Sequence, residues 1–178
     1  MRNLMIAAGA AALTISAGAM SAGAAHAASF ADDRAEIENL MYKYVFAMDG
    51  RNADAYAANF TEDGVLDYAG GVLKGRPAIR AMINGLKTND AKRKADDKSG
   101  LRAAKTHHTV TNFVLDVHGN TATGTAYWAS ITNAGPTRKI ATVSGFGHYE
   151  DELKRVNGKW LFTKRHIYNE VLDNRAAP

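Results

Sequence analysis

Thr109-Val110-Thr111-Asn112-Phe113-Val114-Leu115-Asp116-Val117, followed by His118-Gly119-Asn120 and then by Thr121 to Thr132 (TATGTAYWASIT), decides how the chain is read. Both runs are rich in Val, Thr, Tyr, Phe and Trp, the residues that fit a pleated, half-buried surface. Between them stand three turn residues, so the stretch predicts two strands folded back on each other. The pattern repeats downstream. Gly135-Pro136 marks a loop, and Ile140 to Val156 reads as a long strand. Asn157-Gly158 is a hairpin signal, because both residues tolerate positive φ. Trp160 to Tyr168 returns the chain, and the whole segment is an antiparallel meander.

Upstream the period changes. Asp32-Asp33 opens a helix, placing acids where the helix dipole favours them. Ile37, Leu40, Met41, Tyr44 and Met48 follow at helical spacing as one apolar stripe, and Asp49-Gly50 ends it. Asn52 is placed to cap a second short helix running to Phe60, with Ala53 and Ala57 on its packing face. Thr61-Glu62-Asp63-Gly64 reads as a turn and Val65 to Tyr68 as a short strand, turned at Gly70-Gly71 into Val72-Leu73. Gly75-Arg76-Pro77 then starts a third helix, Pro lying near its first turn, with Ile79, Met82, Ile83 and Leu86 facing inward. Helices first and a meander after them predict an α+β domain, its helices packed on one face of a curved antiparallel sheet.

The N-terminus has a different purpose. Arg2 precedes an uncharged run from Leu4 to Met20, and Ala25-His26-Ala27 places small residues where a signal peptidase reads. Residues 1–27 are therefore expected to be a cleavable signal peptide, and residues 28–178 one domain in the periplasm or outside the cell. The run is too diluted by Gly and Ser for a membrane span, so no membrane association is expected after cleavage. The chain has no cysteine, and stability must come from a packed core, which about 150 residues can supply. The formal charge of +4 is unevenly spread. Lys87, Lys92, Arg93, Lys94, Lys98, Arg102 and Lys105 outnumber Asp90, Asp96 and Asp97 within residues 87–105. Without aromatics that segment is a poor nucleic-acid surface, and it reads as a charged, solvated loop.

Several short motifs in a fixed order resemble the SnoaL-like branch of the nuclear-transport-factor-2-like superfamily. They are Tyr44-x4-Asp49, Asn59-Phe60-Thr61-Glu62-Asp63-Gly64, Lys74-Gly75-Arg76-Pro77-Ala78-Ile79, His107-His108-Thr109-Val110-Thr111-Asn112, Gly147-His148-Tyr149-Glu150-Asp151 and Gly158-Lys159-Trp160. The resemblance runs from about Asp33 to Ile167. It implies a cone-shaped α+β barrel, a bent sheet wrapped around helices with an apolar pocket inside. It also implies a cofactor-independent reaction on a small hydrophobic molecule, and assembly as a homodimer or homotrimer.

The scytalone dehydratase, bile-acid 7α-dehydratase and hexachlorocyclohexane dehydrochlorinase group places an Asp at the end of the first helix beside a His on the third strand. Asp49 and His108 match those positions. A histidine is a suitable general base near neutral pH, and an adjacent carboxylate fixes its tautomer and stabilises the imidazolium. Adjacent strand residues face opposite sides, so only one of His107 and His108 can enter the cone; the resemblance selects His108. An acid at a helix C-terminus is disfavoured by the dipole, which gives Asp49 a reason beyond the helix for being there. Tyr44 matches a tyrosine of the bile-acid enzyme and lies on the apolar stripe, where core packing explains it equally well. Arg165, similarly placed to an Arg of that enzyme, would stabilise a developing oxyanion if it faces inward and would be a surface residue otherwise. Where that group carries a second polar pocket residue, this chain has Trp128. Tyr68, Trp128, Phe146 and His148 are the expected pocket walls. The histidines are scattered and no cysteine set exists, so no metal site is expected, and no nucleotide-binding or serine-hydrolase motif is present. The expected function is a dehydratase-like lyase; a double-bond isomerase and a non-catalytic binding domain are the alternatives.

Overall fold

The computed structural model describes residues 29–172; the expected signal peptide lies outside them. Ser29, the first described residue, is a helix cap: its hydroxyl accepts from the Asp32 N–H, and the Asp32 carboxylate accepts from the Ser29 N–H. This reciprocal pairing satisfies N–H groups that a helix start otherwise leaves open. Helix α1 (Phe30–Asp49) follows. Its stripe of Ile37, Leu40, Met41 and Tyr44 is buried, each side chain contributing about 1.5–3 kcal/mol on removal from water. Asn52 caps α2 (Ala53–Ala57) by accepting from the Ala55 N–H.

Strand β1 (Phe60–Tyr68) contains the expected Thr61–Gly64 turn as an irregularity within the strand rather than before it. Gly64 permits this. A Cβ there would stand 2.8 Å from the Phe60 Cβ and 3.1 Å from the Phe162 carbonyl oxygen. Strand β2 (Gly71–Lys74) pairs back on β1.

Helix α3 (Arg76–Asp96) corrects the reading of residues 87–105 as a loop. Its second half is helical because Ala, Lys and Arg are good helix formers. Arg93 and Lys94 also suit the negative end of the helix dipole. Asp90 pairs with Arg93 on the same helix and with Arg51 at 2.7 Å beyond it. The irregular segment begins only at Asp97, which Arg138 holds at 2.9 Å.

Strands β3 (Thr106–His118), β4 (Thr121–Thr132), β5 (Thr142–Val156) and β6 (Lys159–Asn169) form the meander. Asn157 (φ 50°) and Gly158 (φ 76°) turn β5 into β6 as their types demand. The sheet order is β2-β1-β6-β5-β4-β3. The wholly antiparallel sheet expected is corrected at one joint, where β1 runs parallel to β6. The two are distant in sequence, and no hairpin dictates their direction. The six-stranded sheet is thus curved and mixed, with the helices on its inner face. Among the described residues no helix is long and apolar enough to cross a membrane.

Candidate active site

Strand alternation divides the sheet residues between two faces. Cross-strand pairing places His108 opposite Ser130 and Trp128 opposite Gly147. Gly147 in turn lies opposite Asn169, and Tyr149 opposite Ile167. These residues share the inner face. Between them and the end of α1 lies a cavity of about 250 Å³, lined among others by Tyr44, Tyr68, His108, Trp128, Tyr149 and Asn169. This is space for roughly eight waters at about 30 Å³ each, or one small ring system.

The floor is flat because of two glycines. The Trp128 ring lies over Gly145 and Gly147, and its indole N–H reaches across to the Tyr168 carbonyl at 3.1 Å. A Cβ on Gly147 would fall 1.9 Å from that carbonyl oxygen, so no side chain fits there. Tyr149 stacks beside Trp128, its ring at 18° and 6.1 Å.

At one end His108 and Asp49 meet. His108 Nδ1 is 2.5 Å from Asp49 Oδ1, and the His108 backbone N–H donates to Oδ2 at 2.9 Å. The carboxylate therefore grips its partner twice, holding both ring and strand. With Nδ1 engaged, Nε2 is the nitrogen left for a bound molecule. His107, on the outer face and largely exposed, stands 3.5 Å from Oδ2. Burial by itself would raise the Asp49 carboxyl, but the two hydrogen bonds from His108 and the histidine charges outweigh it and hold the carboxyl below its usual range. A carboxyl depressed in the folded state stabilises fully above its unfolded value of about 3.9, and loses that contribution as pH falls through the folded value. The melting-temperature advantage of wild type over Asp49→Asn should thus be constant at neutral pH and shrink below about pH 4; calorimetry across that range measures it.

Tyr44 is buried in an aromatic cluster, edge-on to Phe60, Tyr149 and Phe162. Tyr56 donates its hydroxyl hydrogen to the Tyr44 oxygen at 2.5 Å, which leaves the Tyr44 hydrogen to donate elsewhere. Burial raises all three phenols, Tyr44, Tyr56 and Tyr149, so they stay neutral donors.

Arg165 faces inward but does not line the cavity, which corrects its expected contact with substrate. It is fully buried, donates to both Asp151 oxygens at 2.7 Å, and lies 4.0–4.2 Å from the ring centres of Tyr44, Tyr149 and Phe162. Burial opposes the guanidinium charge, and the Asp151 carboxylate more than offsets this. Arg165 lies behind the two tyrosines, against their ring faces.

Phe146 and His148 are also corrected. Both stand on the outer face, Phe146 half exposed and His148 stacked on Tyr168 and 3.2 Å from Glu170. Tyr149, Met48 and Asn169 line the cavity instead. The sequence carried the signal for Tyr149: His148, Glu150, Glu152 and Lys154 alternate with Tyr149, Asp151 and Leu153, and the set with most charges belongs outside. Only Asp151, neutralised by Arg165, breaks the apolar set. A larger hollow of about 370 Å³ on the outer face is open and bordered by Asp116, Glu150, Glu152, Lys164 and His166. No three His, Cys, Asp or Glu side chains converge as metal ligands would among the described residues.

The SnoaL-like domain family matches residues 29–166. The chain belongs to the SnoaL-like family. Its fold is shared with solved structures. A nuclear-transport-factor-2-like protein with a cystatin-like fold from Novosphingobium aromaticivorans is 24% identical, with 82% of this chain and 86% of that one covered and a TM-score of 0.63. A Catenulispora acidiphila protein in complex with S-DNPA is 22% identical (79% and 96% covered, TM-score 0.61). A second N. aromaticivorans protein, named as a candidate scytalone dehydratase, is 22% identical (82% and 89% covered, TM-score 0.59). The TM-scores show a common fold, and at these identities they show the fold alone. No curated protein matches the SnoaL-like chain.

Proposed function

We propose that this SnoaL-like protein is a cofactor-independent lyase that eliminates water, or a comparable leaving group, from a small hydrophobic cyclic compound. One observation carries the reading: a carboxylate-oriented imidazole opens onto an apolar, aromatic-walled cavity that also holds a neutral phenol. His108 Nε2 accepts a proton from a carbon next to a carbonyl. The C–H electron pair becomes the new double bond as the C–O bond breaks. The imidazolium then gives its proton to the departing oxygen, which leaves as water, so His108 ends as it began. Tyr44, freed by Tyr56, donates to the carbonyl oxygen where negative charge develops, and Arg165 behind it favours that charge. The candidate dehydratase and the ligand-bound relative among its structural neighbours support the class of reaction and of ligand.

Double-bond isomerisation would use the same abstraction and return the proton to another carbon. Ligand capture without turnover is favoured by one feature, the apolar Trp128 floor where related dehydratases carry a second polar group. A panel of hydroxy- and halo-substituted cyclic ketones separates the three. Loss of water or halide by mass spectrometry supports the lyase, and mass-neutral conversion supports the isomerase. Saturable binding without conversion leaves the capture reading standing and removes the other two.

Export before Ala28 and self-association belong to the same proposal. On the outer face Tyr127, Ile131, Val143 and Phe146 are exposed and adjacent across β4 and β5, an apolar row of the kind that marks an interface. Phe146→Asp, at half-exposed Phe146, is expected to convert an oligomer to monomer in light scattering while leaving probe binding intact. An unchanged mass would remove this face from the interface.

A further inference from the structure

The second half of α3, Lys87 to Asp96, contains no buried residue; Leu86 is the last side chain of the helix packed against the core. A helix that is polar all round needs support other than a buried face, and here two ion pairs supply it. Arg51 holds Asp90 at 2.7 Å, and Arg138 holds Asp97 at 2.9 Å. Two of the acids in the basic segment are thereby drawn in toward the protein. Lys87, Lys92, Lys94, Lys98, Arg102 and Lys105 remain exposed.

A second segment is laced to the first. The Lys105 N–H donates to Asn133 Oδ1 at 2.7 Å, the Asn133 N–H to the Lys105 carbonyl at 3.1 Å, and Asn133 Nδ2 to the Arg138 carbonyl at 3.0 Å. Residues 133–141 bring exposed Lys139 and no acid. Each segment also carries an exposed aliphatic residue next to a cation: Leu101 before Arg102, and Ile140, 69% exposed, after Lys139. Thr106 pairs with Thr132 and Thr132 with Thr142, so both segments stand at one end of the sheet. His108 lines the cavity from that end of β3, and exposed Leu172 lines it from the chain beyond β6.

We infer that this end of the molecule docks on an anionic phospholipid bilayer, with the cavity beside the contact. Charge complementarity selects the occupant: anionic headgroups attract each Lys or Arg near the surface, and the attraction falls off within a Debye length. Leu101 and Ile140 select a bilayer over a soluble polyanion. An exposed aliphatic side chain gains by entering the boundary between headgroups and acyl chains, and gains nothing on a hydrated polymer. Their cationic neighbours stay in the headgroup layer as they do so. This departs from the expectation of no membrane association, which weighed a spanning segment alone; adsorption needs only a surface. Docking places the cavity beside the phase in which a small hydrophobic molecule collects. It does not rest on the lyase reading, since a protein that only captured such a molecule would dock in the same way.

The test is co-sedimentation of the purified protein with vesicles, either of phosphatidylcholine alone or of equal parts phosphatidylcholine and phosphatidylglycerol. Wild type is expected to bind the mixed vesicles, to be released as salt is raised, and not to bind the neutral ones. The double variant Arg102→Ala with Lys139→Ala removes one cation from each segment. It should weaken binding about thirtyfold, about fivefold for each charge. Ile140→Ser should weaken it about tenfold. Lys159→Ala, at the opposite end of the sheet beside the Asn157-Gly158 turn, should bind as wild type does. All four positions are exposed, so folding is not at stake. Equal binding to both vesicles, binding to neither, or a double variant as tight as wild type overturns the inference. So does a loss in Lys159→Ala as large as in the double variant, which would make net charge and not this surface responsible. Wild-type affinity in Ile140→Ser overturns the bilayer as occupant and leaves a soluble polyanion in its place.

Discussion

Replacing His108 by alanine is expected to lower turnover of any panel substrate by about a hundred- to ten-thousandfold, the usual contribution of a positioned general base, with little change in binding. Asp49→Asn should be nearly as damaging, for a reason the geometry supplies. In wild type one carboxylate oxygen accepts from the His108 backbone N–H and the other from Nδ1–H, which keeps the Nε2 lone pair free. An asparagine has one oxygen, and the backbone N–H takes it. The amide nitrogen is then turned toward Nδ1 and donates, which drives the ring proton onto Nε2, the atom that must accept one. The fold survives and the base does not. Steady-state kinetics reads both variants, with binding of a substrate analogue that lacks the leaving group measured alongside. Full turnover in either variant would refute the proposed base and its orienting partner.

The second large effect concerns stability. Arg165→Met should cost about 3–5 kcal/mol in urea unfolding, the range for breaking a buried ion pair by removing one partner. Asp151 would be left fully buried with both Arg165 hydrogen bonds gone; burial already pushes its carboxyl up, so without the guanidinium folding bears the cost of an unpaired buried carboxylate or of protonating it. The double variant Arg165→Met with Asp151→Leu should recover most of the loss, because no uncompensated charge remains. Recovery of stability without recovery of turnover would separate the two roles: the pair is dispensable for folding, and Arg165 is needed behind Tyr44 and Tyr149. A single variant as stable as wild type would contradict the burial on which the argument rests.

Much of this was legible beforehand in particular residues. The stripe from Ile37 to Tyr44 is local information, since 3.6-residue spacing needs no partner to be visible. Asn157-Gly158 is local in the same sense. The resemblance brought Asp49 and His108 forward together, and in the structure they are in hydrogen-bond contact. Less legible was the extent of α3: a run of Lys and Arg reads as a loop, although the same residues form helix readily when it needs no buried face. Phe146 and His148 were placed on the wrong face because a strand's phase, unlike its existence, depends on which neighbours it pairs with. The charges of Glu150, Glu152 and Lys154 would have corrected that phase.

The opening stretch, Thr109 to Thr132, shows where the boundary lies. By itself the sequence determined that these residues form paired strands after a helical half, because backbone preference and turn chemistry act over a few residues. Only the tertiary structure decided that β1 joins β6 in parallel, that Arg165 is sealed against Asp151 behind the cavity, and that Asp49 meets His108 at the cavity's end. Those relations hold between residues far apart in the chain. They follow from sheet curvature and from which side chain a glycine leaves room for, and neither is written in any short segment.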